Sequence, residues 1–205
     1  MQTVILLMAG SGSRVGLDMN KLMYKVNNRR LYQYSLDTFL KMSLPVILVV
    51  SKADYETVYN EVGDKVKIVI GGKTRNESVK NALELVKTDR VMIHDAARPL
   101  ITEDIIGRCI DSKASAYYVC IDLKDTIRDK FSDKTLDRSL LVSVQTPQGG
   151  DTELFKKYEH LSTTDDISSF DNLDINIEKI EGNDYNFKIT TRFDLKIFEH
   201  IVKGD

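Results

Sequence analysis

Short apolar runs alternate with amphipathic segments along almost the entire chain, and this alternation constrains the fold more than any other feature. Most of the apolar runs are continuous, as expected of strands that are covered on both faces. The predicted strands span 3–8, 45–51, 66–70, 90–94, 116–121 and 175–180. Strands that alternate with helical segments in this way predict a three-layer α/β fold around a mainly parallel sheet.

Between the strands, three segments have the periodicity and the end signals of helices. In segment 74–87, four apolar residues recur at i, i+3, i+4 and i+7, on one helix face: Val79, Ala82, Leu83 and Val86. Thr74 and Glu77 form a capping box at the start of this segment. Segment 102–112 begins with Thr102, a favourable N-cap, and a last helix is predicted over 191–202.

Residues 122–145 interrupt the alternation of strands and helices. They contain two β-like pieces around a polar centre at 129–134, which predicts a hairpin or arm that projects from the sheet. No internal repeat, low-complexity tract or linker divides the rest of the chain. A length of 205 residues is ordinary for one domain. We therefore expect a single domain over 1–205 with an arm at about 122–145.

Charge and composition argue against several classes of partner. The formal net charge is −2, so no global basic field attracts nucleic acid or a membrane surface. No apolar run reaches the 18 residues of a membrane span, and residues 1–8 lack the features of a signal peptide and are predicted to be the first strand. Cys109 and Cys120 lack metal-ligand spacing and are expected to be buried thiols. The sequence therefore predicts a cytoplasmic protein.

The loop after the first predicted strand is rich in glycine and carries cations. It comprises Ala9, Gly10, Ser11, Gly12, Ser13, Arg14, Val15 and Gly16, and Lys21 follows it. Glycines let backbone N–H groups approach a polyphosphate closely, and Arg14 and Lys21 supply positive charge. Neither the dinucleotide fingerprint nor the P-loop motif matches this spacing. The combination favours phosphate binding, with a merely flexible loop as the alternative.

Two further strands are followed by polar loops. Gly71 and Gly72 lead into Arg75 and Ser78, either as a simple turn and helix cap or as a site that holds a base or ribose. His94 and Asp95 end the fourth predicted strand, and Arg98 follows. Asp95 could orient a substrate hydroxyl or help to hold Mg²⁺, which prefers oxygen ligands. The alternative is a structural pair between Asp95 and Arg98.

Together, these residues resemble the 2-C-methyl-D-erythritol 4-phosphate cytidylyltransferases of the non-mevalonate isoprenoid pathway. The resemblance rests on nine landmarks in family order, which are 8–14, 20–22, 71–78, 94–99, 125–128, 137–139, 145–148, 164–166 and Lys188. It implies a Rossmann-like nucleotidyltransferase fold. It also implies an enzyme that transfers CMP from CTP to 2-C-methyl-D-erythritol 4-phosphate, with Mg²⁺ as cofactor.

The resemblance also implies roles for individual residues. The catalytic cations would be Arg14, Lys21, Arg138 and Lys188. The nucleotide would be bound by Met8, Ala9, Gly10, Ser11, Gly12, Ser13, Gly72, Arg75 and Ser78. The acceptor would be bound by Asp95, Arg98, Thr146 and Thr164. In the family, Arg138 and Thr164 act from the neighbouring subunit of a homodimer, because the arm reaches across. For Arg138 and Lys188, solvated surface charge is the alternative.

The chain departs from the family pattern at several positions. Met8 and Asn20 stand where the family usually has alanine and proline, and Lys73 replaces an acidic residue near the base. The arm is several residues shorter than usual, and Gly149 and Gly150 replace the usual residues after Thr-Pro-Gln. Met8, Lys73 and the short arm keep a non-catalytic CTP-binding protein open as an alternative. A second alternative is a ribitol-5-phosphate cytidylyltransferase of teichoic-acid synthesis, which is built on the same plan.

Overall fold

A computed structural model describes residues 1–10, 19–158, 160 and 165–204 of the chain. Its strands are β1 (Gln2–Leu7), β2 (Lys25–Val26), β3 (Arg29–Arg30), β4 (Val46–Val50), β5 (Lys67–Ile70), β6 (Arg90–Asp95), β7 (Ala116–Asp122), β8 (Val142–Asp151) and β9 (Ile177–Glu181). Seven of them form one sheet in the order β5-β4-β1-β6-β8-β7-β9, and β2 pairs with β3 alone. Within the seven-stranded sheet, β8 runs antiparallel to its neighbours β6 and β7, and the other pairs are parallel.

Helices cover both faces of this sheet. They are α1 (Leu31–Lys41), α2 (Tyr55–Val62), α3 (Arg75–Leu83), α4 (Glu103–Asp111), α5 (Thr152–Tyr158) and α6 (Arg192–Lys203). Alternate residues of β1 enter opposite cores, since successive strand side chains point to opposite faces. Val4 and Leu6 pack with residues of α1, α2, α4 and α6, and Ile5 packs with residues of α3 and α5. The predicted three-layer α/β fold is thus confirmed.

The sequence prediction was accurate for the parallel strands and incomplete elsewhere. All six predicted strands are present, with ends within two residues of the expected positions. The three predicted helices are present as α3, α4 and α6, although α3 ends at Leu83 and gives way to turns. Helices α1, α2 and α5 were not predicted. Cys109 and Cys120 are buried free thiols, as expected. No described helix is long and apolar enough to cross a bilayer.

Strand β8 corrects the predicted boundaries of the arm. Residues 142–145 belong to the central sheet and not to the arm, which therefore covers about 123–141. Within the arm, Arg128 and Thr135 form a β-bridge, and the Leu136 N–H donates to the Ile127 carbonyl at 2.8 Å, so the expected hairpin is present. The sequence concealed β8 because Pro147, Gly149 and Gly150 are unusual inside a central strand.

The two glycines of β8 allow a close approach between strands. A Cβ atom at Gly149 would overlap the Val91 carbonyl and the Tyr117 ring, and one at Gly150 would overlap the backbone at Ser115. The Tyr117 ring is fully buried, and its hydroxyl donates to the Gln2 amide oxygen at 2.6 Å. Gly149 therefore makes room for an aromatic side chain in the middle of the sheet, and Gly150 lets β8 approach the backbone at the start of β7.

We expect Gly149→Ala to destabilise the protein by roughly 2–3 kcal/mol, because the added methyl group meets backbone and a buried ring that cannot move aside. Gly107→Ala is the matched control, since nothing lies within 4 Å of a Cβ at this position in α4. The control should gain about 0.5–1 kcal/mol, because alanine favours a helix interior. Urea unfolding of both variants measures the difference. Equal stability of the two would contradict this account of β8.

Candidate active site

A cavity opens at the carboxyl edge of the sheet, where β1 and β6 lie side by side. From β1 the chain proceeds outward through β4 to β5 and then returns to the other side of β1 as β6, so this is the switch point at which open α/β sheets bind ligands. The cavity has a volume of about 500 Å³. Its described wall consists of Leu7, Met8, Ala9, Gly10, Lys21, Leu22, Gly72, Lys73, Thr74, Arg75, Ser78, Asp95, Ala97 and Lys188. The described residues of the wall therefore include four cations and one carboxylate.

Asp95 is the carboxylate of this wall, and the sheet places it there. It is the last residue of β6 and pairs in register with Leu7 at the end of β1. Directly beyond this pair, the Ala96 N–H donates to the Leu7 carbonyl at 3.0 Å. The end of the parallel ladder thus fixes the backbone that carries Asp95.

Two cations from distant parts of the chain face the Asp95 carboxylate. The Lys188 ammonium donates to Oδ2 at 2.7 Å, and the Arg75 guanidinium lies 3.6 Å from Oδ1. Burial by itself raises the pKa of Asp95, but Arg75 and Lys188 outweigh burial and hold that pKa well below its usual range. Asp95 is therefore an ionised carboxylate at neutral pH.

Arg75 is itself held from the opposite side by Asp166. The two guanidinium nitrogens of Arg75 donate to the two carboxylate oxygens of Asp166 at 2.5 and 2.7 Å, a bidentate arrangement. Asp166 is fully buried. Burial raises the pKa of Asp166, and the bound guanidinium opposes that rise. A chain of alternating charges thus runs from Asp166 through Arg75 and Asp95 to Lys188.

The glycine turn after β5 packs against the first loop. A Cβ at Gly71 would lie 2.6 Å from the Ala9 Cβ and 2.8 Å from the Ser78 hydroxyl, so only glycine allows this contact. The Ser78 hydroxyl accepts from the Gly72 N–H at 3.1 Å and donates to the Thr74 carbonyl at 2.9 Å. Ser78 therefore holds the turn and the predicted helix cap in place. A contact between Ser78 and a base stays a prediction.

His94 lies under the cavity wall and is neutral. Its Nε2 is 3.1 Å from the Arg98 carbonyl, which can only accept, so this nitrogen carries the proton. Its Nδ1 then accepts from the Thr146 hydroxyl at 3.0 Å, and the same hydroxyl accepts from the Asp95 N–H at 3.1 Å. Complete burial lowers the pKa of His94 to about 4.

Not all of the residues predicted for the site lie on the described cavity wall. Thr146 lies beneath it, with its hydroxyl engaged by His94 and Asp95. The Arg98 guanidinium donates to the Asn186 carbonyl at 2.8 Å, so the proposed structural pair with Asp95 is replaced by Lys188 and Arg75. Arg138 is exposed on the arm and donates to the Lys124 carbonyl. Five predicted site residues lie outside the described part of the chain: Ser11, Gly12, Ser13, Arg14 and Thr164.

Sequence reasoning gave no role to Asp166 or to Asp54, whose carboxylate accepts from the Asn20 side-chain amide at 2.8 Å. Asp166 had been noted only as part of a motif, and its partner Arg75 lies 91 residues away. Asp54 stands three residues after Ser51, close to the carboxyl end of β4, and that position was the available signal.

The described wall of the cavity suits Mg²⁺ only if the substrate and water supply most of the ligands of the ion. Among the described residues, no group of three or more histidine, cysteine, aspartate or glutamate side chains could hold a metal ion. Among the described lining residues, Asp95 alone offers an ionised carboxylate. One carboxylate is compatible with Mg²⁺ that is bound mainly by substrate phosphates and water.

Comparison with known proteins gives the family. The model of the 2-C-methyl-D-erythritol 4-phosphate cytidylyltransferase family matches residues 2–204. The chain belongs to that family. A cytidylyltransferase of this name from Clostridium tetani is 38% identical in an alignment of 220 positions that covers 97% of this chain and 89% of the relative. Another from Clostridium beijerinckii is 38% identical and covers 100% and 99% of the two chains.

A solved structure agrees with this assignment. The crystal structure of 4-diphosphocytidyl-2C-methyl-D-erythritol synthase from Anaerococcus prevotii matches with a TM-score of 0.86 and 26% identity, over 98% of this chain and 97% of that one. The expected Rossmann-like nucleotidyltransferase fold of the family is therefore confirmed. The chain is accordingly an enzyme of the nucleotidyltransferase class, and the family places it in isoprenoid synthesis.

The buried His94 ring should make stability depend on pH. In the unfolded chain the ring takes up a proton near pH 6.5, whereas the folded protein resists protonation until about pH 4. As pH falls from 6.5 towards 4, this group therefore lowers the free energy of unfolding by about 1.4 kcal/mol for each pH unit. The free energy of unfolding, measured at several pH values between 4 and 6.5, should fall with pH by this additional slope in the wild type compared with His94→Gln. Nitrogen NMR at pH 6 should show a neutral ring protonated on Nε2, and an imidazolium there would contradict the assignment.

Proposed function

We propose that the chain transfers CMP from CTP to 2-C-methyl-D-erythritol 4-phosphate and releases pyrophosphate. The observation that carries this proposal is the cavity at the switch point of a chain that belongs to this family. The described wall of that cavity has four cations and one ionised carboxylate. A wall of this charge suits two polyanionic substrates that must be brought together. Nothing in the comparisons favours ribitol 5-phosphate as the acceptor or a loss of catalysis.

The reaction needs no covalent intermediate on the protein. A phosphate oxygen of the acceptor attacks the α-phosphorus of CTP, the new phosphoanhydride bond forms, and the bond to the pyrophosphate leaving group breaks. The protein's contribution is to position the two substrates and to stabilise negative charge as the α-phosphorus becomes five-coordinate. Arg14 and Lys21 would contact the triphosphate, and Lys188 and Arg138 would contact the acceptor phosphate.

Lys188 and Asp95 are suited to the acceptor end of the cavity. Their contact at 2.7 Å keeps the ammonium on the wall and the carboxylate ionised. An arriving acceptor phosphate can share the Lys188 ammonium, while Asp95 accepts a hydrogen bond from an acceptor hydroxyl. We propose that Arg98 and Thr146 support this end by holding the backbone of 94–98, and that Gly72, Arg75 and Ser78 form the nucleotide end.

We further propose that Mg²⁺ is the cofactor and that Asp95 contributes to its binding. The ion would offset the charge of the CTP phosphates when bound. The protein's own cations can provide only part of that compensation, because Arg75 is already paired with Asp166 and Lys188 with Asp95. We also propose a cytoplasmic location, supported by the two free buried thiols.

A homodimer through the arm would explain the position of Arg138. The arm exposes three large apolar side chains, Phe131 at 95%, Leu140 at 80% and Leu136 at 41%. Several large apolar side chains exposed on one projecting segment are typical of an interaction surface. Arg138 lies beside these residues, on the same arm. We propose that the arm of one subunit brings Arg138 to the cavity of its partner.

Pyrophosphate release from CTP with Mg²⁺ tests the proposed function. We expect release with 2-C-methyl-D-erythritol 4-phosphate and none with ribitol 5-phosphate or without an acceptor. Release with ribitol 5-phosphate alone would move the enzyme to another acceptor class and overturn the proposal. The same conclusion would follow if a folded protein that binds CTP released no pyrophosphate with either acceptor.

Complementation between two inactive variants tests the shared site. Arg14→Ala and Arg138→Ala should each be nearly inactive alone. If each site takes Arg14 from one chain and Arg138 from the other, a mixed dimer has one intact site. An equal mixture should then recover about a quarter of wild-type activity, because about half of the randomly assorted dimers are mixed. No recovery in dimers shown to be mixed would mean that each chain builds its own site.

A further inference from the structure

Asn20 joins the two ends of the glycine-rich loop. Its side-chain amide nitrogen donates to the Met8 carbonyl at 3.1 Å, across 12 residues of sequence. The same nitrogen donates to the Asp54 carboxylate at 2.8 Å, and the side-chain oxygen accepts from the Leu22 N–H at 3.1 Å. One amide therefore connects the end of β1, the segment after β4 and the start of the short helix Lys21–Met23.

Asp54 determines the orientation of this amide. An ionised carboxylate can only accept hydrogen bonds, so the NH₂ group of Asn20 must face Asp54 and the oxygen must face Leu22. Asp54 is itself fixed, because its Oδ2 accepts from the Ser51 hydroxyl at 2.7 Å and its N–H donates to the Ser51 oxygen at 3.1 Å. The orientation is thus set from the rigid end of β4.

Lys21 is the residue that this arrangement presents to the cavity. It follows Asn20 directly, is only 8% exposed and lies on the cavity wall. The helical turn that carries it begins with the hydrogen bond from the Met23 N–H to the Asn20 carbonyl at 2.9 Å. A rotation of Asn20 would therefore turn the backbone of Lys21 as well.

We propose that Asn20 and Asp54 are positioning residues for Lys21. We call Asn20 and its hydrogen bonds to Met8 and Asp54 the amide–carboxylate clasp. The clasp orients Lys21 towards the triphosphate of CTP. The proposal rests on the proposed function for the identity of the nucleotide. Neither residue needs to touch substrate, because each acts through the backbone that carries Lys21.

Asn20→Asp removes the hydrogen bonds of the clasp and keeps the helix cap, so it tests the two contacts independently. An aspartate keeps the oxygen that caps Leu22, but it loses both donors and places a second negative charge against Asp54. We expect CTP binding, measured by calorimetry, to weaken about 10- to 100-fold, since displacement of a positioned group by about 1 Å can cost as much. The KM for the acceptor should stay within about twofold. A general loss of folded protein would lower kcat and change neither KM.

Asn81→Asp is the matched control. Asn81 also donates its amide to a backbone carbonyl, that of Ile70 at 3.1 Å, but it lies on the exposed side of α3. The same chemical change there should leave CTP affinity within about twofold of wild type. Circular dichroism and thermal unfolding of both variants report on folding. Asn20→Ala adds no charge and should weaken CTP binding in the same direction, so it replaces Asn20→Asp if that chain does not fold.

The swapped pair Asn20→Asp with Asp54→Asn is the decisive variant. It restores one donor and one acceptor between positions 20 and 54, with their direction reversed, and removes the charge repulsion between them, while the bond to the Met8 carbonyl stays lost in both variants. CTP affinity should recover about tenfold or more over Asn20→Asp alone. Wild-type affinity in Asn20→Asp, or no recovery in the swapped pair, would overturn the clasp. Binding is measured without turnover, so an inactive wild type would count against the proposed function and not against this inference.

Discussion

The site depends on an ionised carboxylate that is almost completely buried. Asp95 is 8% exposed and lies at the end of β6, where the parallel ladder fixes its backbone. An uncompensated charge at such a position costs several kcal/mol. Compensation comes from Lys188, 93 residues away, and from Arg75 on α3. The charge of Asp95 is therefore tolerable only when three separate segments have reached their final positions, so the site and the fold form together.

Three neighbouring residues illustrate how the interior decides which groups carry charge. His94 and Asp95 are adjacent in β6, yet His94 is neutral and Asp95 is ionised. The ring of His94 has an accepting carbonyl and a donating hydroxyl as partners, which suit the neutral form. The carboxylate of Asp95 has two cations. The Arg98 guanidinium donates to the Asn186 carbonyl, and its charge also helps to lower the pKa of Asp95. A proton-transfer role for His94 is unnecessary in this arrangement.

The framework of the site could be predicted from the sequence because it follows from local patterns. Buried parallel strands are continuous apolar runs, and their carboxyl ends mark the cavity edge, where Lys21, Gly72 and Asp95 lie. The partners of these residues could not be predicted in this way. The bond between Arg75 and Asp166 spans 91 residues, and no periodicity in the sequence records such a distance.

The missed elements have a similar explanation. Strand β8 contains a proline and two adjacent glycines, which local rules assign to turns. Its place between β6 and β7 is explained by tertiary effects, because Gly149 leaves room for the Tyr117 ring and Gly150 for the backbone at Ser115. The contact between Asn20 and Asp54 was missed because asparagine and aspartate are each common in loops and give no signal alone. Their meeting depends on β1 and β4 being neighbours in the sheet.

The antiparallel course of β8 gives the arm a particular freedom. Since β7 and β8 are hydrogen-bonded neighbours, the arm at about 123–141 is a hairpin extension whose two ends enter the same ladder. Strand side chains repeat with a period of two, so removing two residues from each side of the hairpin keeps the pairing of the strands and the facing of every remaining side chain. The reach of the arm and the register of the sheet can therefore vary independently. A family built on this plan can lengthen or shorten its arm in steps and still keep Thr146 beneath Asp95.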